Sequence, residues 1–410
     1  MPDLDPDVEL AYSEAMSNFN GANKRHQRIS PIQYCIKPQE DTLTTHLVRY
    51  CHVVLATAAL VCLPVLAAAP ASKLEFSFDY EFARLVSMAI HNKNFDEKTL
   101  AAIRAAPASQ AMVKKMGFKD SDALIDHLRA VPEPAKAANA AEAAAIVSAA
   151  LAQPGGGKYA AVAKEVTRLL QQYVPAQFAA RYRVQFIYGS GSLGFALTDD
   201  PDNVYVDLSK MSTATNQELA ETVAHELFHA VQASVMPPPP SAAAVSAGAA
   251  GATGPAPARG VTWTNRLLYD LLQEGTAELF THPIGYRPAT AFSQRVRDRI
   301  ERNERRMRGI VRLVETVGQR LHFAPPRDEA DYEGIYGLLF YMSFDETAYD
   351  LGWVMANAIE QKEGKAAIMG LLKQAPKHFV LRYQAIAETD AKLPQFSAEF
   401  LRLVQTLPEN

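Results

Sequence analysis

His225-Glu226-Leu227-Phe228-His229 stands near the middle of this 410-residue chain, directly after Thr215-Asn216-Gln217-Glu218-Leu219-Ala220-Glu221-Thr222-Val223-Ala224. The whole run reads as one helix. Thr213 or Thr215 can cap its start, and Glu218 and Glu221 suit its first turns. Leu219, Val223, Leu227 and Ala230 recur at the spacing of a buried stripe. Residues four apart share one face of an α-helix, so His225 and His229 can present two imidazole nitrogens to a single ion. Glu226 sits about 100° round the same turn, within reach of a water on that ion. The pattern H-E-x-x-H is a zinc-binding signature, and zinc lowers the pKa of a bound water to about 7 so that a neighbouring carboxylate can take its proton.

A catalytic zinc site takes three protein ligands and leaves one position open. Gln273-Glu274-Gly275-Thr276-Ala277-Glu278 supplies two carboxylates four residues apart, on a helix expected over Leu267 to Phe280. One can bind the metal and the other can accept the free ring N–H of a metal-bound histidine. Small Gly275 and Ala277 are expected to let this helix pack closely on the histidine helix. Upstream, Asn203-Val204-Tyr205-Val206-Asp207-Leu208 alternates like a strand, as does Arg183-Val184-Gln185-Phe186-Ile187-Tyr188.

These residues resemble the gluzincin metallopeptidases, the thermolysin-like and alanyl-aminopeptidase-like clan, and most of all bacterial families described as zinc-dependent peptidases. The resemblance spans residues 181 to 375. It implies a zincin-like α+β fold and one zinc per chain, held by His225, His229 and Glu274. It also implies Glu226 as general base, Glu278 behind a ligand histidine, and a peptide or protein as substrate. By the same resemblance, the strand before the histidine helix holds an extended substrate backbone by edge pairing. Tyr349-Asp350-Leu351-Gly352 resembles the segment whose tyrosine steadies the oxyanion in the aminopeptidases, with Tyr336 and Tyr341 as rivals. Met236 to Gly260, rich in Pro, Ala and Gly, reads as a flexible insertion between the two ligand helices. The chain departs from the aminopeptidases in one respect: Tyr188-Gly189-Ser190-Gly191-Ser192-Leu193-Gly194 is glycine-rich but carries no acidic anchor for a free amino terminus. Nor does it carry the lysine of a phosphate loop, so strand–turn–strand is its reading.

Two other outcomes fit the same motifs. One is a non-catalytic zincin-like domain that binds zinc as a scaffold. The other is a closed structural site with His282, four residues after Glu278, as fourth ligand.

Val53 to Leu66 is apolar, Arg49 precedes it, and Ala69-Pro70-Ala71 follows as a small-x-small cleavage site. Together they read as a secretory signal over residues 47–71, and the protein is expected to be exported to the periplasm or secreted. An uncleaved anchor at 47–69 is the alternative, and the only membrane association expected. Residues 1–46 ahead of it are polar and aperiodic, which implies translation from near Leu47 or Val48 or else a disordered extension. Cys35, Cys51 and Cys62 all lie in or before the signal, so no disulfide is expected in the mature chain. A formal net charge of −4 argues against a general nucleic-acid binder.

Residues 72–180 read as a helical region and 181–410 as the zincin-like catalytic domain. Helical periodicity is expected from Phe76 to Met116, from Ala123 to Val131 with Ser121 as cap, over Lys136 to Leu151, over Tyr159 to Tyr173, and throughout the chain after Val261. The arginines between Pro288 and Arg320 alternate with acids at i,i+3 and i,i+4 spacing, the pattern of a solvated, ion-paired face.

Overall fold

The computed structural model describes residues 73–130, 157–174, 178–197, 199–211, 214–240, 256–341 and 344–409. The signal, the segment before it, the helix expected over Lys136 to Leu151 and the middle of the Pro/Ala/Gly-rich tract lie outside them. Among the described residues no helix is long and apolar enough to cross a membrane. The protein is mixed α+β, mostly helical around one small sheet.

Four strands form that sheet: β1 (Lys73–Asp79), β2 (Ala179–Ile187), β3 (Gly194–Leu197) and β4 (Asp200–Asp207), in the order β1-β2-β4-β3. The first three in that order run parallel, with Phe78 opposite Val184 and Val184 opposite Val204, while β3 turns back antiparallel with Phe195 opposite Tyr205. Val184, Phe186, Ile187, Val204 and Val206 are fully buried. Apolar side chains on both faces mark strands covered from above and below. Two expectations change here. Phe76 to Asp79 is strand rather than helix, because Phe78 stacks on Phe186 at 6.0 Å and tertiary packing overrides the local pattern. The strand read at Asn203–Leu208 is interior, so the sheet edge on this side is β3, which the sequence suggested only as the far arm of a turn.

Between β1 and β2 lie α1 (Glu81–His91), α2 (Glu97–Ala105), α3 (Pro107–Met116), α4 (Ser121–Ala130) and α5 (Gly157–Leu170). The side-chain cap of α4 is Asp120, which accepts the Ala123 N–H at 2.9 Å; Ser121 is already helical. The histidine helix is α6 (Asn216–Val235). Thr215 caps it in a reciprocal box: its hydroxyl accepts the Glu218 N–H at 3.2 Å, and Glu218 accepts the Thr215 N–H at 2.6 Å. The helix lies against β3, β4 and α5, which buries most of its circumference.

The second ligand helix, α7 (Ala256–Thr281), begins well before Leu267, so the last five residues of the glycine-rich tract are helical. A 3₁₀ turn at His282–Tyr286 leads to α8 (Ala291–Arg305), α9 (Met307–Phe323), α10 (Glu329–Phe340), α11 (Thr347–Glu363), α12 (Lys365–Leu371), α13 (Lys377–Ala387) and α14 (Ala398–Thr406). Gly275 does not serve the contact with α6. It faces Gly352 of α11, where a Cβ on either glycine would come within 2.6 Å of the other's backbone. The two helices therefore cross backbone to backbone, which brings Tyr349, one turn before Gly352, up beside Glu274. Replacing Gly352 by Ala should force the helices apart and cost about 1–3 kcal/mol, read as a fall of several degrees in Tm. An unchanged Tm would mean the crossing relaxes freely.

Candidate metal centre

The two helices point four functional side chains at one spot. His225 and His229, one turn apart on α6, bring their Nε2 atoms to 3.2 Å. Glu274 of α7 places Oε2 at 3.3 Å from His229 Nε2 and 3.9 Å from His225 Nε2. Among the described residues this trio forms the one group with converging metal-ligand atoms, all within 4.8 Å of one another.

The hydrogen bonds behind the rings fix what those atoms offer. Gln232 donates its amide to the Gln273 carbonyl at 2.7 Å and to the Thr276 hydroxyl at 2.8 Å. Its Oε1 thus faces His229 Nδ1 at 2.7 Å and must accept, which leaves Nε2 as a bare lone pair. His225 Nδ1 lies 3.0 Å from the Thr281 hydroxyl, which is also hydrogen-bonded to Glu278. This arrangement makes His225 a donor at Nδ1 and exposes a lone pair at its Nε2. Glu274 Oε2 is buried and has no hydrogen-bond partner. Three lone pairs crowded together in a buried site call for a cation between them, a proton on His229 Nε2 or a metal ion in its place. The donor set fits zinc: two nitrogens and a carboxylate match its preference, and tetrahedral ligands at 2.0–2.1 Å stand about 3.4 Å apart.

The acid–base chemistry of the bare donor set agrees. Burial holds His225 well below its usual range. For His229, burial pulls the same way, but Glu274 and Glu226 outweigh it and raise its pKa. Glu274 is itself lowered: burial opposes ionisation, and the charge of His229 prevails. Burial pushes Glu226 up to about 7, the range of a working general base. Its carboxylate lies against Gly194 of β3, where a Cβ would come to 2.6 Å of it, so any larger residue there would push the carboxylate aside.

Gly194, Phe195, Ala196 and Leu197 roof a cleft of about 240 Å³ whose floor holds the histidines and both carboxylates. Tyr336 and Tyr349 line its far side and are hydrogen-bonded to each other, and burial raises both far above a normal phenol. Tyr341 is excluded as a rival: it is half exposed and donates to Glu333 at 3.1 Å. His282 is no fourth donor. Its ring stacks on Trp353 at 3.6 Å between centroids and its Nε2 lies 3.5 Å from Asp350, behind α7.

Glu278 lies behind His225, 4.0 Å from its Nδ1, and the Thr281 hydroxyl, hydrogen-bonded to Glu278, makes the direct contact with the ring. Burial pushes Glu278 up to about 7 against the opposing charge of Arg299, 3.4 Å away. Arg299 also pairs with Asp350 at 3.1 Å and with Glu346, and is only 14 % exposed. The solvated face expected for the arginine-rich segment thus holds for Arg297 with Glu301 and for Arg302 with Asp345, but not for Arg299. Thr281, Gln232 and Gly194 escaped sequence reading. Gln232 lies three residues after His229 and Thr281 three after Glu278, so helical spacing alone could have flagged both.

The mixed α+β fold gathers a buried group of two histidines and one carboxylate that could hold a metal ion, with the Glu226 carboxylate in the same cleft. Residues 101–392 match the family described as "Putative zinc dependent peptidase (DUF5700)", and the chain belongs to that family. No curated protein and no solved structure matches it.

Replacing Gln232 by Leu should free the His229 ring and weaken zinc affinity about 10–100-fold in chelator competition; unchanged affinity would remove Gln232 from the site. His229, raised in pKa, must shed its proton before binding zinc. Apparent zinc affinity should therefore climb with pH through neutrality, by about tenfold per unit for one displaced proton. A flat profile from about pH 6 to pH 8 would contradict that assignment.

Proposed function

We propose that this protein is a zinc-dependent peptidase of gluzincin type with a zincin-like catalytic domain. Zinc would be held by His225, His229 and Glu274, one ion per chain. The observation that carries the reading is the buried carboxylate of Glu226 beside a set of two histidines and a carboxylate with converging metal-ligand atoms, all lining one cleft. Zinc, when bound, would supply an acidified water and polarise the scissile carbonyl.

The chain's own residues account for the other roles. Glu226 takes the proton of the attacking water and later hands it to the leaving amine. The free edge of β3 offers main-chain N–H and C=O groups to an extended peptide, and Gly194 keeps that path clear above Glu226. Tyr349 donates from the opposite wall to the developing oxyanion, its O–H turning there from the Tyr336 oxygen that accepts it beforehand. Gln232 and Thr281 keep the ligand rings turned the right way. The apolar run before Ala71 supports export, with the site acting outside the cytoplasm.

The test is metal content and peptide-library cleavage, compared between the wild type and Glu226→Gln. The mutant should retain one zinc per chain and lose about 10²–10⁴-fold in kcat/KM. Near-wild-type cleavage by the mutant would refute the mechanism. Zinc binding with no cleavage by the wild type would instead support a non-catalytic zinc domain. Tyr349→Phe should lower kcat by about 10²-fold with little change in zinc content; a normal kcat would shift the role to Tyr336.

A further inference from the structure

One cation in the cleft has no part in the chemistry above. Lys115, in the last turn of α3, lines the same cleft as Glu226, Glu274 and the two tyrosines. It is the only lysine or arginine among the lining residues. Its neighbour Lys114 is paired with Asp199, whereas Lys115 has no carboxylate partner among the described residues and lies over the Phe195 ring, 5.6 Å from its centroid. Phe195 belongs to the edge strand, so the ammonium is anchored beside the track of an extended substrate. The charge of Lys115 reaches Glu226 and Glu274, drawing both toward ionisation. Those two carboxylates are committed to the base and the metal. The other walls near Lys115 are apolar: Phe195, Leu197, Pro201 and Ala233.

We infer that Lys115 is a specificity-determining residue that selects peptides carrying a carboxylate at one position near the scissile bond. The inference rests on the peptidase reading of the cleft. A carboxylate is the complement of an ammonium that lies beside apolar side chains with no carboxylate in salt-bridge contact among the described residues, and an amide of the same shape gains little there. Two sources share this chemistry: an Asp or Glu side chain, and the free C-terminus of a short peptide. The exposure of Lys115 limits the gain to that of a half-solvated ion pair, about three- to tenfold, shrinking as salt rises.

The experiment uses the full zinc-loaded chain and quenched fluorescent peptides in matched pairs. Asp is set against Asn at each position in turn, and a free C-terminus against an amidated one. The wild type should prefer the acid at one position, or the free terminus, by about three- to tenfold. Lys115→Met should bring that ratio to about 1, Lys115→Arg should restore it, and Lys115→Glu should favour a basic residue there instead. The side-chain and terminal arms tell the two sources apart. Absence of any acid preference in the wild type, or a preference that survives in Lys115→Met, would overturn the inference. The same pairs are also measured by fluorescence anisotropy on Glu226→Gln protein, which reads binding without turnover. A carboxylate preference in binding that Lys115→Met abolishes would uphold the role of Lys115 even if the wild type cleaves nothing, in which case only the peptidase reading fails.

Discussion

The site is organised by a repulsion. Two imidazole nitrogens and a carboxylate oxygen, each with its lone pair inward, sit 3.2 to 3.9 Å apart in a buried place. Each is held there by packing it cannot escape: Gln232 and Thr281 lock the rings, and the Gly275–Gly352 crossing seats α7 and α11 against one another. A fold that assembles such a cluster spends stability on it, and a bound divalent ion would return it as folding energy. Glu226 inherits its poise from the same burial.

Much of this was legible in the residues themselves. The His225–His229 spacing and the Glu274–Glu278 pair are local periodicities, and helix geometry turns them directly into a shared face. A cap at Thr215 and a strand over Asn203–Leu208 follow from equally local rules, though not the strand's place inside the sheet. What stayed hidden is non-local. Nothing in Lys73–Asp79 announces a parallel partner more than a hundred residues away, and Phe76 fits a helical stripe as well as a strand. Gly275 looked like a spacer toward α6 because its true neighbour, Gly352, lies on a different helix.

The arginine-rich helix shows why charge patterns mislead. Its arginines all read as a solvated face, and Arg297 and Arg302 form ion pairs there. Arg299 alone turns inward and binds carboxylates from α7 and α11 together. A buried cation among three acids is tolerated because it is nearly fully paired, and removing it would strand charge in the interior. The result is a strut linking the helix of Glu274 to the helix of Tyr349, on the side away from the cleft.

The shortness of β3 carries its own consequence. An unpaired strand edge is a template for any passing chain, including another copy of the protein. Four residues, with the pairing shifted between Ala196 and Leu197, offer a ladder only about 13 Å long. Such a stub is too brief to seed a growing intermolecular sheet, and it is also too brief to read many residues of a bound strand. On the proposed peptidase reading, the dimension that guards against strand-to-strand association would leave sequence discrimination to the side chains around the cleft.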